Sequence, residues 1–125
     1  MADLTRHFST YELECPCCKE MNTDIGFIHR MDIVRDLYAN PISPSSGYRC
    51  PHYNQNIAKS GATGPHTQCA IDIPCHGMDF TALLEIAFYM KFKGVGIYQN
   101  GDIKKRFIHL DDVDRKVNYT VIWSG

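Results

Sequence analysis

Apolar residues recur three positions apart at Ile28, Met31, Val34 and Leu37, with Phe27 beside them. That repeat predicts a helix over residues 24–39 with one buried stripe, ended by Asn40-Pro41 because a residue before proline leaves the helical region. Leu83, Leu84, Ala87, Phe88 and Met90 predict a second long helix over 80–92, closed by Gly94. Ser9 with Glu12 three residues later is a capping box and predicts a short helix. Pro51 in a first turn predicts another over 51–58. Residues 41–49 read as a strand or extended segment, 60–65 as a glycine-rich loop and 70–73 as a short strand. Three more strands are expected at 95–98, 106–111 and 119–123, with Asn100-Gly101 as a hairpin signal between the first two. Helices early and strands late predict one α+β domain over 1–125, a mostly antiparallel sheet flanked by two main helices.

Composition changes this picture little. A chain of 125 residues is long enough to bury a core without cross-links. A formal net charge of −1 gives no support to nucleic-acid or membrane binding, which favour a basic surplus. No apolar run approaches the ~18 residues a membrane span needs. The opening residues lack the apolar stretch of a signal peptide, so the expectation is synthesis in a cytoplasm. Six cysteines and six histidines are enough to direct attention to metal chemistry.

Three segments carry candidate chemistry. His66 and Asp72 lie six residues apart between a glycine-rich loop and an apolar strand. Fully extended they would stand ~20 Å apart, so they share an ion only if the chain doubles back around Thr67 to Cys69. The alternative is a loop histidine and a solvated aspartate. In Arg106-Phe107-Ile108-His109-Leu110-Asp111-Asp112, strand alternation puts Phe107, His109 and Asp111 on one face. That pair is either part of a site or a histidine satisfied by its acid at a sheet end. Asp112 is expected to point the other way, into solvent. In Ser46-Gly47-Tyr48-Arg49-Cys50-Pro51, the Arg49 guanidinium is either a fork for a carboxylate or a surface charge.

In this order, Ser-Gly-Tyr-Arg, Asn54, His66 with Ala70-x-Asp72, a glycine-rich strand and Phe-Ile-His109-x-Asp111 resemble the zinc D-alanyl-D-alanine peptidases. That family includes VanX-type dipeptidases, phage endolysins and murein endopeptidases, with a hedgehog-type peptidase fold. His7-Phe8-Ser9-x-x-Glu12-x-x-Cys15-Pro16-x-Cys18 is similar to its small phage and bacterial branch, so the likeness runs from about His7 to Trp123. The resemblance implies one catalytic Zn2+ on His66, Asp72 and His109, three N/O ligands with the fourth position open. It implies Arg49 as the residue orienting a substrate carboxylate or carbonyl, with Tyr48 on the same wall. It implies hydrolysis of peptide bonds in peptidoglycan stems or cross-bridges, by an enzyme released by phage or carried in a virion. The alternative is a catalytically degenerate binding or structural module of a phage or cell-wall assembly.

Two departures from the family pattern matter. The usual Ser-x-His-x-x-Gly-x-Ala-x-Asp is one residue longer; here Gly64 replaces the serine and the internal glycine is missing. A one-residue change flips strand facing unless the turn absorbs it; Cys69 is the alternative ligand. The acid that many relatives place three residues before the last histidine is here Arg106, which accepts no proton. Asp111 is then either the base or a carboxylate that orients a histidine ligand. Cys15, Cys17, Cys18 and Cys50 read first as small buried side chains. The alternatives are a redox pair or a second, structural ion at Cys15, Cys18 and Cys50 with His52 as fourth ligand. Cys75-His76 is expected in an exposed turn.

Overall fold

The computed structural model describes residues 2–125. Four helices, α1 (Thr10–Leu13), α2 (Ile25–Tyr38), α3 (Pro51–Ile57) and α4 (Gly77–Tyr89), accompany four strands, β1 (Ala70–Pro74), β2 (Gly94–Tyr98), β3 (Phe107–Asp111) and β4 (Val121–Ser124). The strands form one sheet in the order β1-β3-β2-β4. β3 is antiparallel to both β1 and β2, while β4 joins the far side of β2 in parallel. The result is the expected α+β domain with a mainly antiparallel sheet.

Alternation divides the sheet into two faces. Ile71, Ile73, Val95, Ile108 and Leu110 are buried with Phe27, Ile28, Met31 and Val34 of α2 and Leu83 and Ala87 of α4 in one apolar cluster. The other face carries Asp72, Gly96, His109 and Asp111. Leu37 departs from the predicted stripe: it is half exposed, lining a shallow groove with Ile86 and Tyr89 where α2 outruns its cover. Asp32 is buried on α2 because it accepts hydrogen bonds from Thr5 Oγ1 (2.9 Å) and the His7 N–H (3.0 Å), tying the N-terminal segment down. The Glu12 carboxylate accepts the Ser9 N–H at 2.9 Å, the capping contact expected for α1.

α4 starts and stops earlier than predicted. Lys91 takes the left-handed conformation (φ 59°), its N–H and that of Phe92 returning to the carbonyls of Phe88 and Ala87. This is a Schellman closure, and it sends Phe92 into the core, while Gly94 opens β2 instead of ending the helix. Asn100-Gly101 does lie between antiparallel β2 and β3, but within a longer connection that includes a 3₁₀ turn, Ile103–Lys105. The 41–49 segment forms no full strand. It lies along β1 through paired bonds between Ser45, Ser46 and Asp72, covering that edge. Cys75 is buried in the core cluster and only His76 is exposed, since the chain turns inward before α4. Asp112 is not solvated: Arg30 donates to it at 2.7 Å, pinning the end of β3 to α2.

Candidate metal centre

The site begins with sheet register. Asp72 on β1 lies directly opposite His109 on β3, so both side chains leave the same face at the same level. His66 reaches that level from a 3₁₀ turn, Pro65–Thr67. The Gln68 and Cys69 N–H groups both return to the Pro65 carbonyl at 3.0 Å, and Thr67 Oγ1 donates to the Gly64 carbonyl at 2.7 Å. Here the chain doubles back, which is how a six-residue spacing brings His66 onto Asp72. The signal begins ahead of the expected turn: Pro65 presets the first φ, and the Thr67 hydroxyl, bonded back to the Gly64 carbonyl, closes it. Cys69 packs against the core and takes no part in the cluster.

One ligand atom each from His66, Asp72 and His109 lies within 4.8 Å of the other two, and all three residues are buried. Asp72 Oδ1 stands 3.2 Å from His66 Nε2 and 2.9 Å from His109 Nδ1. The other nitrogen of each ring is committed elsewhere. His66 Nδ1 meets the Gly47 carbonyl at 2.7 Å, and His109 Nε2 meets Asp111 Oδ2 at 2.7 Å. A carbonyl and a carboxylate only accept, so each outer nitrogen carries the proton. The inner nitrogens of the neutral rings then turn lone pairs toward each other and toward an anionic oxygen. That donor set fits a divalent cation. The His109 imidazole is more basic than usual: burial opposes the charge, but Asp111 and Asp72 outweigh it. Burial also works against Asp72 ionisation, yet the two histidines hold its carboxyl well below the usual range.

Asp111 stands beside His109 and is fully buried, outside the cavity wall. Arg115 donates to both its oxygens at 2.7 and 2.9 Å, and the Val113 N–H to one of them. Burial alone would raise its pKa; Arg115 and His109 bring it to about 2. Arg115 also lies over the Trp123 ring, 5.5 Å from its centroid. Two glycines of β2 make this layer possible. A Cβ on Gly94 would fall 2.4–2.6 Å from the Asp111 carboxylate, and one on Gly96 would fall 2.8 Å from Trp123 Nε1. Trp123 thereby leans across Gly96 to within 5.1 Å of the His109 ring, its Nε1 donating to the Tyr98 hydroxyl at 2.8 Å.

A cavity of about 290 Å³ opens onto the three ligands, walled by Arg49, Tyr98, Phe107 and Trp123. Arg49 is held over it by Ser46 Oγ (3.1 Å) and Asn54 Oδ1 (3.4 Å), with Nη2 3.6 Å from Asp72 Oδ2. Buried Asn54 is fixed in turn by Ser60 Oγ and the Gly61 carbonyl. Tyr48 corrects the sequence reading: it does not line the cavity. In an extended segment neighbours face opposite ways, so Tyr48 is buried with Cys15 and Cys50 instead. Arg106 also turns away, donating to the Gly101 carbonyl. Sequence reasoning missed Tyr98, Arg115 and Trp123. Only Trp123, the single tryptophan, opposite a Gly-x-Gly strand, carried a readable signal.

A small α+β domain thus carries on its sheet a buried His-Asp-His group that could hold a metal ion, beside a cavity. The family model Peptidase M15 matches residues 6–111, and the chain belongs to that peptidase family of hydrolases. No curated protein matches the sequence.

Proposed function

We propose that this chain is a zinc peptidase hydrolysing short peptide in bacterial peptidoglycan, with His66, Asp72 and His109 holding the ion. The observation that carries this reading is the locked pair of imidazoles, both presenting lone pairs to Asp72 Oδ1. Zinc bound there supplies a Lewis acid and a water whose pKa is lowered to about 7. Arg49 supplies the recognition: its guanidinium, held by Ser46 and Asn54, faces the cavity where a substrate carboxylate or carbonyl would lie. At about 290 Å³ the cavity is at the small end of ligand sites, roughly 300–1,000 Å³. That size suits the small side chains of a stem-peptide terminus. Tyr98, Phe107 and Trp123 form an aromatic wall along the cavity. Asp111 is a positioning residue in this reading, since Arg115, Val113 and His109 occupy its oxygens.

A second reading, a peptide-binding module that does not cut, is favoured by one observation. Among the described residues, Asp72 is the only carboxylate lining the cavity. Zinc content of the wild type beside His109→Ala, with mass analysis of digested peptidoglycan, separates the two. Zinc lost on substitution together with wild-type release of muropeptide fragments supports the peptidase. Zinc binding without any cleavage supports the binding module, and zinc retained in full by His109→Ala sinks the site itself.

A further inference from the structure

Four of the six cysteines converge away from the centre described above. Cys15, Cys17 and Cys18 come from the loop after α1, and Cys50 is the N-cap of α3, directly after Arg49. One sulfur from each lies within 4.8 Å of the other three. The Cys15–Cys17 and Cys17–Cys50 separations are 3.6 and 3.4 Å. Bonds of about 2.3 Å to one tetrahedral ion set four sulfurs roughly 3.8 Å apart. We propose that Cys15, Cys17, Cys18 and Cys50 form a structural tetrathiolate zinc site, separate from the histidine centre.

The surroundings suit thiolates bound to a cation. The Cys50 N–H donates to Cys15 Sγ and the Tyr53 N–H to Cys50 Sγ, both at 3.4 Å. Such donors stabilise negative sulfur. The loop is folded as a knuckle: the Lys19 N–H returns to the Cys15 carbonyl at 2.9 Å, and the Cys15 N–H to the Glu20 carbonyl at 2.7 Å. Cys15 and Cys50 are buried while Cys17 and Cys18 face solvent, which leaves the ion a way in. A disulfide would use two sulfurs and gives no reason for the other two to converge. Cys17 therefore holds the fourth place, for which the sequence offered His52 only as an alternative; His52 is exposed on α3 and outside the cluster.

This ion has a structural task. It ties the N-terminal loop to the segment bearing Gly47, the acceptor for His66, and Arg49. The backbone bond from the Tyr48 N–H to the Leu13 carbonyl, 2.8 Å, is a further tie between the same two strips of chain.

The test loads the full reduced chain with zinc or with cobalt(II) and compares wild type, His66→Ala/His109→Ala and Cys17→Ser/Cys50→Ser. Two zinc ions per chain are expected in the wild type and one in each double variant. Cobalt in the histidine variant should still show the strong near-ultraviolet thiolate-to-metal charge-transfer band, a readout that needs no cysteine variant to fold. Absence of that band overturns the proposal, as does a single wild-type zinc that disappears with the histidines. A single wild-type zinc that survives the histidine changes and is lost with the cysteines supports it while sinking the peptidase reading.

Discussion

At the scale of single residues, the centre is a set of committed donors. Asp111 spends its oxygens on His109, Arg115 and Val113, so its expected role is to keep the His109 ring facing inward. Asp111→Asn should weaken zinc binding about 10–100-fold, measured by competition with a chelator, while the acid limb of the pH–rate profile stays in place. Intact zinc affinity with that limb gone would instead make Asp111 the proton acceptor. Arg49 acts through its fork. Arg49→Lys keeps the charge but cannot serve Ser46, Asn54 and a substrate together. A fall in kcat/KM of about tenfold or more, ~1.4 kcal/mol, is expected with zinc content unchanged; undiminished kcat/KM would remove Arg49 from recognition.

At the scale of elements, β2 works by what it lacks. Gly94 and Gly96 leave the space that the Asp111 carboxylate and the Trp123 ring occupy on the site face. Neither neighbour yields cheaply, because Asp111 is short and held on both oxygens and Trp123 is anchored to Tyr98. Gly94→Ala should cost about 1–3 kcal/mol of stability by overpacking and weaken zinc binding as well. Calorimetry and metal titration on the same sample check both, and a variant matching wild type in each would show that the layer is not tightly packed. The turn at Pro65–Thr67 is the other decisive element. It brings His66 beside Asp72 despite a spacing one residue short of the family pattern, because a 3₁₀ turn re-aims His66 before β1 begins.

At the scale of the whole molecule, one apolar cluster on one face of the sheet supports a polar layer on the other. Ile108 is fully buried between His109 and Phe107, facing α4 rather than the site. Ile108→Ala should lose about 2–5 kcal/mol, a large share of the ~5–15 kcal/mol typical of a domain. Denaturant unfolding at saturating zinc measures it, and a loss below 1 kcal/mol would mean that the core relaxes around the gap. The metal belongs to this scale too. Any ion bound only by the folded chain raises its stability, by roughly 2.7 kcal/mol at a hundred times its dissociation constant. Chelation should therefore lower the melting temperature, and an unchanged melting curve would argue against tight binding at either cluster.

Much of this was legible in the chain itself. The periodicity of Ile28, Met31 and Val34, the alternation in 106–111 and the Ser9–Glu12 cap are local codes, written in side-chain spacing, and the corresponding elements form where they predict. The residue types of the centre, His66, Asp72 and His109, and the Arg49 beside them were legible through motif order. Tertiary structure alone decided what each side chain meets. Alternation could not tell which side of the 46–50 segment faces the cavity, so Tyr48 went inward and Arg49 outward. Spacing could not show that Arg115 and Val113 occupy Asp111, nor that Lys91 ends α4. Nor could it bring Cys17 to Cys50 across 33 residues. The burial of Tyr48 and the approach of Cys17 to Cys50 depend on segments distant in sequence, whose geometry is set by how the elements pack. The Asp111–Arg115 pair and the Lys91 closure are near in sequence, but their conformations are fixed by the fold around them and by no repeat of side-chain types.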